Sequence, residues 1–248
     1  MKIVGIIPAR FASTRFPGKP LAVLGGQSML ERVYQQAKRS SSLSKIVVAT
    51  EHTGIYDHVI AFGGNACITS ENHLSGTDRC YEAFTKEKES FDYIINIQGD
   101  EPFIEPGQID LLASYLDGKT QLATLIKKID TYEQLNSNSE VKVTFNTRNE
   151  ALYFSRAVIP FVQNVDPKNW LDHFDFYKHV GMYAYRSDVL KEITQLEISP
   201  MEKAESLEQL RWMENGFTIK VAKTDVETMC VDTPEELEIA KRILDKRR

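Results

Sequence analysis

The stretch from Ile6 to Pro20, Ile-Ile-Pro-Ala-Arg-Phe-Ala-Ser-Thr-Arg-Phe-Pro-Gly-Lys-Pro, says most about how this chain folds. The apolar run Ile3 to Ile7 predicts a buried first strand, which Pro8 ends. The loop that follows contains prolines and a glycine, and it carries three cations: Arg10, Arg15 and Lys19. Open α/β sheets bind ligands just beyond the carboxyl ends of their strands. The loop therefore predicts a binding site for one anionic ligand.

The loop is not a Walker A motif, although it contains Gly18-Lys19. That motif requires Gly at position 13 and Ser or Thr at position 20, where this chain has Ser13 and Pro20. We therefore expect arginine forks and a lysine charge to hold the phosphates of a nucleoside triphosphate. The alternative is a solvated basic loop without a ligand. The prolines favour binding, because a restricted backbone loses less entropy when a ligand binds.

Composition limits the class of protein. The 248 residues are 42% hydrophobic and carry a net charge of −5. They fit a single domain over 1–248 with a smaller lobe at about 122–186. The acidic balance argues against a nucleic-acid partner, and no run reaches the ~18 apolar residues of a membrane span. The N-terminus lacks a signal-peptide pattern and the three cysteines lack disulfide or zinc spacing, so we expect a cytoplasmic protein.

The first half of the chain alternates strands and helices, which predicts a mostly parallel sheet with helices on both faces. After residue 120 the predicted strands are separated by polar turns, which indicates an antiparallel extension of that sheet. A capping box at Ser199 and Glu202 predicts one helix that continues through Met213. The predicted strands lie at 3–7, 45–50, 66–69, 93–97, 122–129, 141–145, 151–154, 179–185 and 218–222.

Two aspartates follow predicted strands and are candidate metal ligands. Asp100 comes after Gly99 at the end of the fourth strand, and Asp232 comes after the strand-like run 229–231. One or two carboxylates together with substrate phosphates are the usual ligands of Mg²⁺. Each has a structural alternative: Asp100 as a turn residue, and Asp232 as part of the start of a helix.

Six segments together resemble the 3-deoxy-manno-octulosonate (Kdo) cytidylyltransferase family, also called CMP-Kdo synthetases. They run in order along the chain. They are Ile7-Pro-Ala-Arg-Phe-Ala-Ser-Thr-Arg-Phe-Pro-Gly-Lys-Pro20, His73-Leu-Ser-Gly-Thr-Asp-Arg79, Asn96-Ile-Gln-Gly-Asp-Glu-Pro102, Ala151-Leu-Tyr-Phe-Ser-Arg156, Leu207-Glu-Gln-Leu-Arg211 and Val231-Asp-Thr-Pro-Glu235.

The resemblance implies a nucleotide-diphospho-sugar transferase-like fold and a Mg²⁺-dependent reaction. The anomeric hydroxyl of Kdo attacks the α-phosphate of CTP, and pyrophosphate leaves. CMP-Kdo then serves lipopolysaccharide biosynthesis. The resemblance assigns catalysis to Arg10, Lys19 and Asp100, and metal binding to Asp100 and Asp232. The resemblance assigns nucleotide binding to Ala9, Arg10, Arg15, Lys19, Ser75, Gly76 and Gln98. It assigns sugar binding to Gln98, Arg156, His179, Tyr183, Glu208 and Gln209.

The resemblance further implies a homodimer paired through the middle lobe. Phe11 and Phe16 stand where the family pattern has Tyr and Leu, and residues 160–178 match no family motif. The sugar is therefore less well defined than the nucleotide, and 8-amino-Kdo or a sialic-acid-type sugar stays an alternative. A glycosyltransferase typically has a D-x-D pair, but Gln98 precedes Gly99-Asp100 here. A nucleotide sensor without catalysis needs no Asp100.

Overall fold

The structure is a computed structural model that describes residues 1–12 and 15–246, so Ser13 and Thr14 of the basic loop lie outside the described residues. The chain divides into two compact units: Met1–Ala113 with Thr228–Arg248, and Ser114–Glu227. The lobe predicted at about 122–186 falls within the second unit. The single-domain organisation of the whole chain stays a prediction.

The strands of the first unit are β1 (Ile3–Pro8), β2 (Val23–Leu24), β3 (Gln27–Ser28), β4 (Lys45–Thr50), β5 (Ala66–Ile68) and β6 (Tyr93–Asn96). β1 pairs in parallel with β4 on one side and β6 on the other, and β5 pairs in parallel with β4. Val4, Ile6 and Ile7 are wholly buried. A strand that is apolar without alternation is typical of a sheet covered on both faces.

The helices in the first part of this unit are α1 (Met29–Ala37), α2 (Thr53–Ala61), α3 (Gly76–Thr85) and α4 (Pro106–Ala113). α3 contacts β1, β4 and β6, while α1 contacts β4 and α4. Ser75 and Asp78 form a capping box at the start of α3. Because the four sheet strands are parallel, the loops after β1, β4, β5 and β6 meet at one edge of the sheet.

The second unit contains β7 (Leu122–Lys128), α5 (Tyr132–Asn136), β8 (Lys142–Phe145), β9 (Ala151–Ser155), α6 (Trp170–His173), β10 (Tyr177–Arg186), α7 (Ser187–Ile193), α8 (Pro200–Glu205), α9 (Glu208–Glu214) and β11 (Ile219–Lys223). β10 runs antiparallel to β7 and β8, and β9 runs antiparallel to β8. β11 is parallel to β7. The antiparallel strands predicted after residue 120 are confirmed.

The helix predicted from Ser199 through Met213 is wrong in one respect, because the structure has two helices there. The capping box of Ser199 and Glu202 is present at the start of α8. Ser206 then adopts a left-handed conformation with φ of 52°, which ends α8. A non-glycine residue with positive φ leaves the helical path, and periodicity in the sequence does not reveal it.

The last helix, α10 (Pro234–Lys246), belongs to the first unit. The Glu236 N–H donates to Oγ1 of Thr233, which caps the start of the helix. Leu237 and Ala240 pack in a cluster with Leu24 and Phe103. The helix therefore anchors the segment that precedes it, which contains Asp232. Across the described residues, the helices are all too short or too polar to cross a membrane.

Candidate active site

The basic loop after β1 turns back on itself through Gly18. The Gly18 N–H donates to the carbonyl of Phe11 at 2.9 Å, and Gly18 has φ of 72° at the start of a 3₁₀ turn. This left-handed conformation strains a residue with a Cβ, so glycine suits the position. The turn begins with Lys19, which places its side chain at the carboxyl edge of the sheet.

Lys19 lies between the two candidate metal ligands. Its Nζ donates to Oδ2 of Asp100 at 2.7 Å and to Oδ1 of Asp232 at 2.8 Å. Arg15 Nη2 lies 2.9 Å from the other oxygen of Asp232. The Lys19 side chain is only 12% exposed, so water screens its two pairs weakly, whereas Arg15 is 63% exposed. The sequence predicted that these residues lie at one edge of the sheet, but it did not predict that they pair with one another.

The charges shift the pKa values of this cluster in opposite directions. Burial opposes the charged form of Lys19, but Asp100 and Asp232 outweigh it and raise the Lys19 pKa. Burial also opposes the carboxylate of Asp232, but Lys19 and Arg15 hold its pKa below the usual value. Lys19 is therefore an ammonium and Asp232 a carboxylate near neutral pH.

Backbone contacts bring the two aspartates together. The Val231 N–H donates to the carbonyl of Asp100 at 2.9 Å. A Cβ on Gly99 would lie 3.0 Å from the Pro8 carbonyl oxygen, so glycine permits the close approach of this segment to β1. Glu236 accepts from the N–H of Asp232 at 2.6 Å. Asp232 therefore lies at the start of a helix and also forms an ion pair, because Thr233 caps α10 while the Asp232 carboxylate contacts Lys19.

The cluster fits a divalent cation held by oxygen. Asp100 and Asp232 already converge on one positive charge, the Lys19 ammonium, and carboxylate oxygens are the ligands that Mg²⁺ prefers. Cys230 Sγ lies within 4.8 Å of a carboxylate oxygen of each aspartate. Sequence reasoning did not select this residue, and its soft sulfur suits Zn²⁺ better than Mg²⁺.

A cleft of about 420 Å³ lies over this cluster. Ser75 is not among its lining residues; instead its Oγ accepts from the Asp78 N–H at 3.0 Å. Arg10 donates to the carbonyl of His73. The structure thus brings most of the proposed nucleotide residues together. The cleft is lined by Pro8, Ala9, Arg10, Ala12, Arg15, Lys19, Pro20, Gly76, Arg79, Gln98, Gly99 and Asp100.

Arg79 is a cleft residue that sequence reasoning missed. It ends the segment 73–79, but an arginine in the first turn of a helix usually faces solvent. Here the side chain is 1% exposed and lies 3.0 Å from the Glu51 carboxylate. Glu51 in turn accepts from the Phe11 N–H at 2.8 Å, so this pair also holds the start of the basic loop.

Four of the proposed sugar residues cluster in the second unit. His179 and Tyr183 lie on β10 with ring centroids 5.0 Å apart. The Tyr183 ring also contacts Trp212 of α9, the helix that begins with Glu208 and Gln209. Burial lowers the His179 pKa to about 4, so the imidazole is neutral near pH 7. Thr124 Oγ1 lies 2.9 Å from its Nε2.

Arg156 is held by the backbone. Its guanidinium donates to the carbonyls of Glu205, Asn138 and Ser206 at 2.7, 3.0 and 3.4 Å. The Glu205 carboxylate also accepts from the Arg156 N–H at 2.9 Å. These contacts join β9 to the end of α8.

Comparisons with known proteins give the family. A cytidylyltransferase family model matches residues 4–224. The chain is 53% identical to the 3-deoxy-manno-octulosonate cytidylyltransferase of Parabacteroides distasonis over 100% of both chains. It is 52% identical to that of Bacteroides thetaiotaomicron, again over 100% of both. The chain belongs to the cytidylyltransferase family. The resemblance seen in the six sequence segments is confirmed.

Solved structures agree with this cytidylyltransferase assignment. A CMP:2-keto-3-deoxy-manno-octonic acid synthetase in complex with CTP superposes with a TM-score of 0.93 at 40% identity, over 100% of both chains. A 4-diphosphocytidyl-2C-methyl-D-erythritol synthase from Anaerococcus prevotii has a TM-score of 0.66 at 14% identity, over 98% of this chain and 96% of its own. That likeness shows the fold alone. The predicted fold class is confirmed.

Beside the candidate metal ligands Asp100 and Asp232, this cytidylyltransferase buries a further carboxyl group. Glu101 is 8% exposed. Burial and then the charge of Asp100 raise its pKa to about 7, although a hydrogen bond with Thr228 opposes the shift. The folded protein therefore holds this proton more tightly than the unfolded chain, whose glutamate has a pKa near 4.5. Folding stability falls as pH rises between these values.

We predict that Glu101→Gln removes this fall. The wild-type free energy of unfolding should drop by up to about 3 kcal/mol between pH 4.5 and 7.5 relative to the variant. Urea denaturation in EDTA across this range measures the difference. Glu105→Gln, a change at an exposed position nearby, should leave the wild-type profile unchanged. Parallel profiles for wild type and Glu101→Gln would contradict the prediction.

Proposed function

We propose that the protein transfers CMP from CTP to the anomeric hydroxyl of Kdo and releases pyrophosphate. The observation that carries the proposal is the position of Lys19, Asp100 and Asp232 beside a cleft in a chain whose full-length relatives are Kdo cytidylyltransferases. CMP-Kdo would then enter lipopolysaccharide biosynthesis. Because CTP is made in the cytoplasm, we propose that the protein works there.

The chain contributes charge and position to this reaction. Arg10, Arg15 and Lys19 line the cleft, where they can bind the three phosphates and stabilise the charge that develops on pyrophosphate. Asp100 and Asp232 would hold Mg²⁺, which neutralises negative charge on phosphate oxygens when it is bound. Lys19 then has phosphate oxygens as its new partners. Fixing the reacting groups in line supplies much of the remaining rate enhancement.

The proposed sugar residues offer hydrogen bonds. Kdo carries a carboxylate and several hydroxyls, which suit an amide such as that of Gln209 in the second unit. Gln209 is 5% exposed, and its Nε2 has no hydrogen-bond partner among the described residues. His179 is neutral near pH 7, so it would bind a hydroxyl without adding charge. Arg156 supports the proposal least, because backbone carbonyls already occupy its guanidinium.

We predict that the purified protein releases pyrophosphate when CTP, Mg²⁺ and Kdo are all present. Asp100→Asn should fold but lose about a hundredfold or more in turnover, because a neutral amide binds the metal poorly. A coupled pyrophosphate assay measures both. Asp57→Asn, a change at an exposed position in α2, is the matched control and should retain activity.

The same assay tests the choice of substrates. CTP, UTP and ATP should each be paired with Kdo, 8-amino-Kdo and a sialic acid. The proposal expects the highest kcat/KM for CTP with Kdo. Absence of pyrophosphate with that pair, or full activity of Asp100→Asn, would refute the proposed function. A higher kcat/KM with 8-amino-Kdo or sialic acid would refute the choice of sugar and leave the cytidylyl transfer intact.

We also propose a homodimer paired through the middle lobe. Several large apolar side chains are exposed in the second unit, among them Leu152 at 59%, Phe161 at 73% and Phe174 at 45%. Contiguous apolar surface is common where two copies of a protein meet. These exposures support the proposal.

Sedimentation velocity should give twice the chain mass of 28.3 kDa. The double variant Phe161→Ser, Phe174→Ser should shift the protein towards monomer, because it removes apolar area from the proposed contact. Ile239→Ser in α10 is the control, since Ile239 is 47% exposed in the other unit. A wild-type monomer at micromolar concentration, or a double variant that stays dimeric, would argue against pairing through this lobe.

A further inference from the structure

An aromatic stack joins the basic loop after β1 to the neighbouring strand. The ring centroids of Phe11 and His52 lie 4.1 Å apart, and the two ring planes are within 10° of parallel. Phe11 belongs to the loop, whereas His52 lies between the end of β4 and the start of α2. Aromatic pairs in contact stabilise a packing arrangement beyond the area that they bury. The stack therefore fixes the start of the loop against the end of β4.

The surroundings of His52 hold it in place. Its N–H donates to Oγ1 of Thr50 at 3.2 Å, and its carbonyl accepts from the N–H groups of Ile55 and Tyr56, both at 3.1 Å. A Cβ on Gly54 would lie 2.9 Å from Cε1 of His52, which is closer than packed atoms come, so glycine leaves room for the ring. The Nδ1 atom of His52 is buried and has no hydrogen-bond partner among the described residues, so this atom does not tie the ring to the loop.

Phe11 links the stack to Lys19. The Phe11 carbonyl accepts from the Gly18 N–H at 2.9 Å. A Cβ on Gly18 would lie 3.4 Å from Cε2 of Phe11, so the Phe11 ring also packs against this glycine. Gly18 directly precedes Lys19, whose Nζ contacts Asp100 and Asp232. The position of the Phe11 ring therefore bears on the position of the Lys19 ammonium.

The stack thus constrains the backbone beside two of the cations in the cleft. Phe11 directly follows Arg10 in the chain, and Gly18 directly precedes Lys19. Both cations line the cleft. A side chain that is already in place loses less entropy when it binds a ligand than one on an unconstrained loop. Removal of the His52 ring would keep Arg10 and Lys19 in the chain but leave them less well placed for phosphate oxygens.

Given the proposed function, we propose that His52 is a positioning residue for the triphosphate of CTP. Among the described residues, His52 is not one of those that line the cleft, so it acts through Phe11 and the loop. The loop cations are the proposed ligands of the three phosphates. Loss of the His52 ring should therefore weaken the binding of a nucleoside triphosphate more than that of a monophosphate. A change that only destabilised the fold would weaken both nucleotides alike.

Calorimetric titration of the wild type and of His52→Ala with CTP and with CMP tests the proposal, in Mg²⁺ and without Kdo. CMP keeps the cytosine, the ribose and one phosphate of CTP, but it lacks the β- and γ-phosphates. We expect His52→Ala to bind CTP about three- to tenfold more weakly, the size of effect that one aromatic pair gives, and CMP less than about twofold more weakly. Unchanged affinity for CTP, or equal losses for CTP and CMP, would overturn the proposal.

Two further substitutions at the same position separate the ring from its polar atoms. His52→Phe keeps an aromatic face, so its affinity for CTP should lie within about twofold of the wild type. His52→Gln keeps a polar side chain without a ring and should resemble His52→Ala. His173→Ala, the same change at an exposed histidine of α6, should bind both nucleotides like the wild type. Recovery of CTP affinity by His52→Gln and not by His52→Phe would overturn the proposal.

A double variant tests whether His52 acts through Phe11. Phe11→Leu removes the same stack from the side of the loop. The double variant Phe11→Leu, His52→Ala should therefore bind CTP within about twofold of the weaker single variant, because only one contact is lost. Losses of affinity that multiply in the double variant would show that the two residues act separately, and would overturn the proposal.

The wild-type measurements distinguish failure of this role from failure of the proposed function. If the wild type binds no CTP, both are refuted. If the wild type releases pyrophosphate from CTP and Kdo, but His52→Ala binds CTP like the wild type, only the role of His52 is refuted. Should His52→Ala fail to fold, as judged by circular dichroism, His52→Gln and Phe11→Leu decide the question by the same comparison of CTP with CMP.

Discussion

The contact of one ammonium with two carboxylates organises this site. Lys19 comes from the loop after β1, Asp100 from the end of β6, and Asp232 from the segment before α10. Without a cation between them, Asp100 and Asp232 would repel each other in a poorly solvated place. Lys19 therefore joins three segments that are distant in sequence, and its ammonium holds the two carboxylates close together.

This contact also bears on the proposed metal site. The Lys19 side chain has the charge, though not the ligand geometry, of a metal ion. If Asp100 and Asp232 hold a divalent cation as proposed, the Lys19 ammonium would have to leave them, and the phosphates of CTP would offer it new partners in the same cleft. Metal and nucleotide binding are thereby expected to favour each other.

Much of the frame could be predicted from the sequence. The apolar runs and the turn residues between them predicted the parallel strands. The positions of Arg10, Lys19 and Asp100 just after strands predicted that they lie at one edge of the sheet. Other features depend on tertiary contacts that periodicity does not encode. The break at Ser206 needs a positive φ, and the burial of Arg79 depends on Glu51, which lies 28 residues earlier in the chain. The ion pairs of Lys19 likewise could not be predicted. Residue spacing indicates which side chains lie near one edge of the sheet, but not which of them pair.

Manganese binding in the absence of nucleotide tests the role of Lys19 most directly. Electron paramagnetic resonance counts free Mn²⁺ in solutions of wild type, Lys19→Met and the control Lys45→Met, whose wild-type lysine pairs with Glu87 away from the aspartates. Lys19→Met should bind Mn²⁺ about tenfold or more tightly than the wild type, because no ammonium has to be displaced. The control should match the wild type. Equal or weaker Mn²⁺ binding by folded Lys19→Met would contradict the account.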